Sequence, residues 1–370
     1  MTKAAELAKM GEVLTNSQIG GRRNIVINGA MQVAQRGTSF SLSGTADTFI
    51  TDRFLISNSD TGAWTASQST DSPTGFSNSL KMDCTTADTS PTFLTLMTRF
   101  EGQDLQHLKK GTSSAEKTTL SFFVKSNKTG TYIAELRDID NNRTIGKAYT
   151  ISSADTWEQK IITFDGDTTG AFGNDYGNSL QIIWYLAVGS VYNSGTLATS
   201  WGSRVNANTA VGQVNLADST DNEWYITGIQ LEVGSQATPF EHRSFGEEQR
   251  LCQRYAIVYS KNGQPNMGDK AIGTGASTNS SGGYQAFIFP QVTMRAVPTL
   301  TVGGSVSDYE ILKYETGYVD VNSSISLFSA SGRSLFVLTF SSATAEAERG
   351  RDVIMRLEGD NSSLLFDSEL

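Results

Sequence analysis

Histidine sets the first limit on what this chain could catalyse, because it has only two, His107 and His242, far apart in sequence. Neither falls in an H-x-x-x-H or C-x-x-C pattern of the kind that gathers zinc ligands. His107 sits in the polar run GQDLQHLKK, and solvated surface positions are expected for both. The G-x-S-x-G elbow of a serine hydrolase is missing. Carboxylates are plentiful, with 38 Asp and Glu. A glycosidase pair is identified by the spacing of two carboxylates in space, which the sequence does not display. Asp138, Asp140 and Asn142 in RDIDNNRT show the alternate-oxygen spacing of a calcium loop. An EF-hand would need glycine where Arg143 stands and an acid where Tyr149 stands. A plain hairpin turn is the competing reading, and calcium is the one cofactor the residues suggest.

Aromatic residues carry a different chemistry. Phe172, Tyr176, Trp184, Tyr185, Tyr192 and Trp201 fall in a stretch from Gly170 to Ser203 that is rich in Gly, Asn and Ser. The C–H face of a sugar ring stacks on an aromatic ring, while Asn, Asp and Gln bind its hydroxyls. Trp184 alternates within an apolar run and is expected in the core. Tyr176, Tyr192 and Trp201, with Asn174, Asp175 and Asn193 beside them, are the candidates for glycan contact. A subunit interface would use the same residue types.

The elements that must position these residues are strands. Gly is abundant at 35, Pro is scarce at 6, and Ser, Thr and Asn recur throughout the 370 residues. Such a composition fits short strands joined by turns. Strand-like runs lie at Arg53–Ser57, Phe93–Phe100, Thr119–Lys125, Thr131–Arg137, Lys147–Ile151, Glu158–Phe164, Gln181–Val188 and Trp224–Val233. They predict an all-β fold, a jelly-roll β-sandwich over 24–243. NIVI, Asn28-Gly29 and AMQV predict a hairpin through a type I′ turn. Within WYITGIQLEV, Gly228 predicts a bulge or kink where the apolar alternation changes register.

Ser244 followed by Glu247 is a capping-box signature, and it predicts a linking helix in residues 244–262. A smaller β-sandwich is expected over 263–370, entered by a flexible glycine-rich stretch, Gly263–Gly283. Residues 1–23 divide into a short amphipathic helix, with Leu7, Met10 and Leu14 on one side, and a linker. So short a helix is marginal alone, so these three residues are candidates for attachment or oligomerisation, against a frayed terminus. The pattern shows no tandem repeat or heptad array, which argues against a long fibrous shaft.

A net charge of −9 argues against nucleic acid as a partner. Met1–Gly11 has no continuous apolar core, and no stretch approaches the roughly 20 apolar residues that span a bilayer. Neither a secretion signal nor membrane insertion is therefore expected. Cys84 and Cys252 are expected as buried thiols of a chain made in a reducing cytoplasm.

Three segments carry a family resemblance. NIVINGAMQVAQRGTS at Asn24–Ser39 is similar to the opening of the jelly-roll module of bacteriophage tail fibres. WYITGIQLEVGSQATPFE at Trp224–Glu241, continuing through FGEEQRLCQRY, resembles its close and exit helix. FPQVTMRAVPTLTV at Phe289–Val302, with the terminal LLFDSEL, resembles the small β-domain that ends such proteins. The resemblance spans residues 24–370. It implies a non-enzymatic virion protein, most simply a homotrimeric tail fibre that binds a host surface polysaccharide. Residues 1–14 would then join it to other tail or adaptor proteins. A capsid decoration or tail adaptor without glycan affinity is the alternative, and a polysaccharide depolymerase the third.

Overall fold

The computed structural model describes Lys3 and residues 23–261, 270–278, 282–313, 317–342, 350, 352–359 and 361–370. Leu7, Met10 and Leu14 lie outside the described residues. The chain forms two compact units, one closing at Glu248 and the other covering Gln249–Glu369.

The first unit is all-β. Its strands are β1 (Ser39–Phe49), β2 (Leu55–Ser69), β3 (Ser79–Thr86), β4 (Phe93–Glu101), β5 (Thr118–Ser126) and β6 (Gly130–Asp138). They continue with β7 (Arg143–Ile151), β8 (Glu158–Phe164), β9 (Asn178–Val188), β10 (Gly202–Ser203) and β11 (Glu223–Val233). One short helix, α1 (Ser190–Asn193), follows β9 directly.

β2 serves both layers of the sandwich. Its first part, Leu55–Ser59, pairs with β4, and its second, Ala63–Ser69, pairs with β3. The chain bends between them, with Asp60 and Gly62 at φ of 47° and 63°. A side chain at Gly62 would strike the Thr86 carbonyl oxygen, so this corner requires glycine. One layer then runs β10-β7-β6-β9-β4-β2 and the other β2-β3-β11-β5-β8, every pair antiparallel. Their inner faces share one core that contains Trp64, Trp184 and Trp224, each at most 1% exposed. Burial of such rings is worth several kcal/mol each, since Trp→Ala in a core costs about 3–5 kcal/mol.

The expected bulge in β11 is present. Gly228 has φ of 62°, and the register against β5 slips between Thr227 and Gln230. The extra residue returns Ile229 and Leu231 to the core face already used by Trp224 and Ile226. The expected Asn28-Gly29 hairpin is absent. Residues 24–33 form no strand pair with one another and instead lie along β11, with Ile25 N–H donating to Leu231 O and Ile229 N–H to Gly29 O, both at 2.9 Å. Asn28 takes φ of 60°, but its amide bridges Val33 and the Asp52 carbonyl, which holds the segment as an irregular strap. Gly29 is needed because a Cβ there would meet the Ile229 oxygen at 2.1 Å.

Ser244 caps α2 (Phe245–Gln253) as its sequence implies, its Oγ accepting from Glu247 N–H. The helix is shorter than the 244–262 span, because Ala256–Ser260 turns into strand β12. The second unit continues with β13 (Lys270–Ser277), β14 (Gly283–Ile288), β15 (Thr299–Gly303), β16 (Tyr309–Lys313) and β17 (Gly317–Asp320). It closes with β18 (Ser326–Leu327), β19 (Phe336–Ser341), β20 (Asp352–Leu357) and β21 (Ser363–Asp367). Two antiparallel sheets, β12-β21-β15 and β17-β16-β20-β13-β14-β19-β18, enclose a core that includes Tyr284, Tyr309, Phe336 and Phe366. Within the expected flexible entry over Gly263–Gly283, Lys270–Ser277 is strand β13, while residues 263–269 and 279–281 lie outside the described residues. Gly275 lets the strand pack close to β14, where a Cβ would meet the Gln285 oxygen at 1.8 Å. Both cysteines are buried and outside any disulfide.

Candidate saccharide-binding cleft

In β4, β6 and β9, alternate side chains divide between the core and the outer face of the sheet. Leu96, Leu136 and Trp184 go inward. Thr95, Met97 and Arg99 from β4, Arg137 from β6 and Gln181, Ile183 and Tyr185 from β9 go outward. With Phe93, Asp47, Ser57, Tyr192 and Arg204 they line a cleft of about 250 Å³. On the same face Leu55, Met97, Ile133, Ile183 and Val188 form an apolar cluster, to which the lining residues Met97 and Ile183 belong.

One wall is aromatic. α1 begins at Ser190, so Tyr192 folds back over the end of β9 and packs edge-on against Phe93, ring centroids 5.4 Å apart. Both rings are half-buried and leave part of their surface to the cleft.

The other wall is polar and rests on Glu135, which is fully buried. Its carboxylate accepts hydrogen bonds from the Thr144 and Tyr185 hydroxyls and, at 3.3 Å, from Arg204 Nε. Burial, with the Glu135 charge beside it, pushes the Tyr185 hydroxyl well above its ordinary pKa, so it remains a donor. Burial pulls the Arg204 guanidinium down, but Glu135 and Tyr185 together more than offset this and raise its pKa above the ordinary value. Arg99 lies 3.9 Å from Asp47 at the rim.

Three polar groups in this cleft are left over. Thr95 is 3% exposed and its hydroxyl has no hydrogen-bond partner among the described residues. Gln181 is 5% exposed, and its side-chain amide makes no hydrogen bond among the described residues. Arg137 Nε is buried without a partner, and the guanidinium makes no ion pair among the described residues. Buried polar groups are nearly always satisfied by protein or ordered water, so three groups without protein partners on one cavity make it the candidate ligand site.

The six residues proposed for glycan contact separate. Tyr192 lines the cleft, and Asn193 is its half-buried neighbour on α1. Trp201 does not reach it: its Nε1 donates to Asp165 O at 2.7 Å and its ring lies 5.6 Å from the Lys110 ammonium. Asn174, Asp175 and Tyr176 sit on an exposed loop where the Asp175 carboxylate accepts from Gly177 N–H, and Tyr176 is half exposed.

The calcium reading of Asp138, Asp140 and Asn142 is corrected. Asp138 is buried and already holds a cation, the Lys110 ammonium at 2.6 Å. Asp140 accepts from Gly173 N–H, and Asn142 takes a left-handed φ of 49° in the β6–β7 turn, the hairpin that was the competing reading. Lys110 also contacts Asp167 at 3.1 Å and donates to the carbonyls of Thr169 and Gly170, so its donors are saturated. Arg143 clamps Asp167 through Nε and Nη2 at 2.7 and 3.0 Å. Both histidines are exposed, as expected.

No protein-family model matches this chain, and no curated protein sequence does. Solved structures similar to it include the enzymatically active domain of bacteriophage CBA120 tailspike protein 4, at 16% identity and a TM-score of 0.31. That alignment covers 57% of this chain and 21% of the tailspike chain, so the match spans about a fifth of that protein. A family 11 carbohydrate-binding module of a Clostridium thermocellum cellulosomal cellulase aligns at 11% identity, over 59% of this chain and all of that one, with a TM-score of 0.28. The CBM22-1-GH10 modules of a Clostridium thermocellum endo-1,4-β-D-xylanase align at 10% identity, over 60% of this chain and 30% of theirs, with a TM-score of 0.30. Likenesses of this strength carry no argument about the cleft, whose reading rests on its own geometry.

Proposed function

We propose that the first unit binds a saccharide in the cleft of β4, β6 and β9. The observation that carries this is the coincidence of an aromatic wall, Phe93 and Tyr192, with the unpartnered Thr95, Gln181 and Arg137. A sugar offers what both walls lack, a C–H face for the rings and hydroxyls for the orphaned donors and acceptors. At about 250 Å³ the cleft lies just below the ~300–1,000 Å³ of small-molecule sites, room for a unit or two of a chain. Binding fits better than hydrolysis, since both Glu135 oxygens are occupied by Thr144, Tyr185 and Arg204.

The setting we infer is a virion, with the chain as a homotrimeric tail fibre that recognises a host surface polysaccharide. Support for this comes from the three sequence segments at Asn24–Ser39, Trp224–Glu241 and Phe289–Val302. Attachment to other tail or adaptor proteins is assigned to residues 1–14. The test is retention of the full-length chain on an array of bacterial capsular and O-antigen polysaccharides. Binding to at least one, lost in Gln181→Leu, is the expected result. Retention on none, or retention that Gln181→Leu leaves intact, overturns the cleft as the site. Light scattering of the purified chain tests the trimer separately, and a monomer overturns it.

A further inference from the structure

Resting on the saccharide reading of this cleft, we propose that its ligand is an acidic sugar, held through a carboxylate on Arg137. Three guanidinium groups, Arg99, Arg137 and Arg204, line a cleft whose one lining acid is Asp47; buried Glu135 accepts from Arg204, and Arg99 also donates to the Leu370 oxygen. Arg204 is matched to Glu135 and Arg99 lies 3.9 Å from Asp47. Arg137 remains over. Its Nε is buried, and it forms no ion pair or hydrogen bond among the described residues.

This surplus stands out in a chain with a net charge of −9, where an uncommitted cation in a cavity runs against the overall balance. Burial, and next the positive charge of Arg204, push the Arg137 guanidinium below its ordinary pKa, with Glu135 only partly opposing them. Arg137 is therefore left without a paired negative charge among the described residues. A carboxylate matches that deficit in magnitude, and its planar pair of oxygens matches the planar fork of a guanidinium. Sulfate and phosphate groups share the charge but not the planarity. Gln181 is the outward residue of β9 paired with Arg137 across the β6–β9 ladder, so its amide lies beside the same ligand group. Phe93 and Tyr192 would take the ring that bears the carboxylate.

The experiment is calorimetric titration of the full-length protein with polygalacturonate, alginate and hyaluronan. Each is paired with its carboxyl-reduced form, in which the acid has become a neutral alcohol, and dextran sulfate serves as the non-carboxylate polyanion. At least one uronate polymer is expected to bind, with its reduced form and dextran sulfate at least tenfold weaker. Arg137→Gln should lose that preference, Arg137→Lys should keep part of it, and Lys117→Gln, which removes a charge outside the cleft lining, should keep all of it. Circular dichroism of each variant separates lost binding from lost folding. Equal affinity for a polymer and its reduced form overturns the acidic-sugar inference but leaves the saccharide cleft standing. Dextran sulfate binding as tightly as the uronates overturns carboxylate recognition. Binding of none, together with an empty polysaccharide array, overturns both readings.

Discussion

Arg137 and Asp138 are adjacent on β6 and show two ways in which a protein handles buried charge. Asp138 points inward and meets Lys110 at 2.6 Å, beside Asp167 and Arg143. The Lys110 ammonium is capped by the rings of Phe172 and Trp201 at 5.1 and 5.6 Å. Each charge there faces an opposite charge, and the cluster is closed. One residue back, Arg137 points outward into a cavity and has no partner among the described residues. Removing one member of the closed set leaves a buried charge uncompensated, whereas Arg137 has no partner among the described residues to lose.

The largest effect should come from opening the closed cluster. Lys110→Met leaves Asp138 and Asp167 buried without the ammonium, and removing one partner of a buried pair typically costs about 3–5 kcal/mol. Urea unfolding checks this, and a loss under about 1 kcal/mol would mean that the cluster is not the closed network described.

A smaller effect is expected from acid. Burial opposes ionisation of Asp167, but hydrogen bonds from Arg143 and Lys110 hold its pKa below the ordinary carboxylate value. Its contribution is thus fully present above the unfolded value of about 3.9 and is lost as pH falls through the folded one. Asp167→Asn should flatten the stability profile in that acidic window, and an unchanged slope would refute the assignment.

The smallest effect on stability is predicted at the open site. Arg137→Gln should change unfolding free energy by no more than about 0.5 kcal/mol, because no partner among the described residues is lost. A loss as large as that of Lys110→Met would make Arg137 structural and erase the contrast.

The sequence displays the outline of this molecule better than its site. Strands such as Gln181–Val188 and Trp224–Val233 are legible because apolar runs bounded by turns leave few alternatives. β1 is not, since SFSLSGTADTF is mostly polar, pairs only with β2 and buries only Leu42. The Asn28-Gly29 pair misleads because a local turn preference gives way to the tertiary hydrogen bonds of Asn28 and the close approach of Gly29 to β11. Tyr192 is found from its aromatic, Asn-rich surroundings. Thr95, Arg137 and Gln181 are missed because pairing of β4, β6 and β9 joins residues that are distant in the chain. A signal does exist: Thr95 and Arg99 in FLTLMTRF, and Glu135 and Arg137 in YIAELRD, fall at even spacing on one face of their strands, and Gln181 interrupts the apolar run LQIIWYLAV.

The most direct test sets the cleft against the exposed loop. Tyr192→Ala and Tyr176→Ala each remove one tyrosine ring, the first from the cleft wall and the second from a half-exposed loop position. Both variants and the unmodified chain are compared on the same polysaccharide array, by dilution series on whichever polymer the unmodified chain retains. The cleft account predicts at least a tenfold loss of affinity for Tyr192→Ala and no change for Tyr176→Ala. A loss confined to Tyr176→Ala, with Tyr192→Ala binding normally, would contradict it.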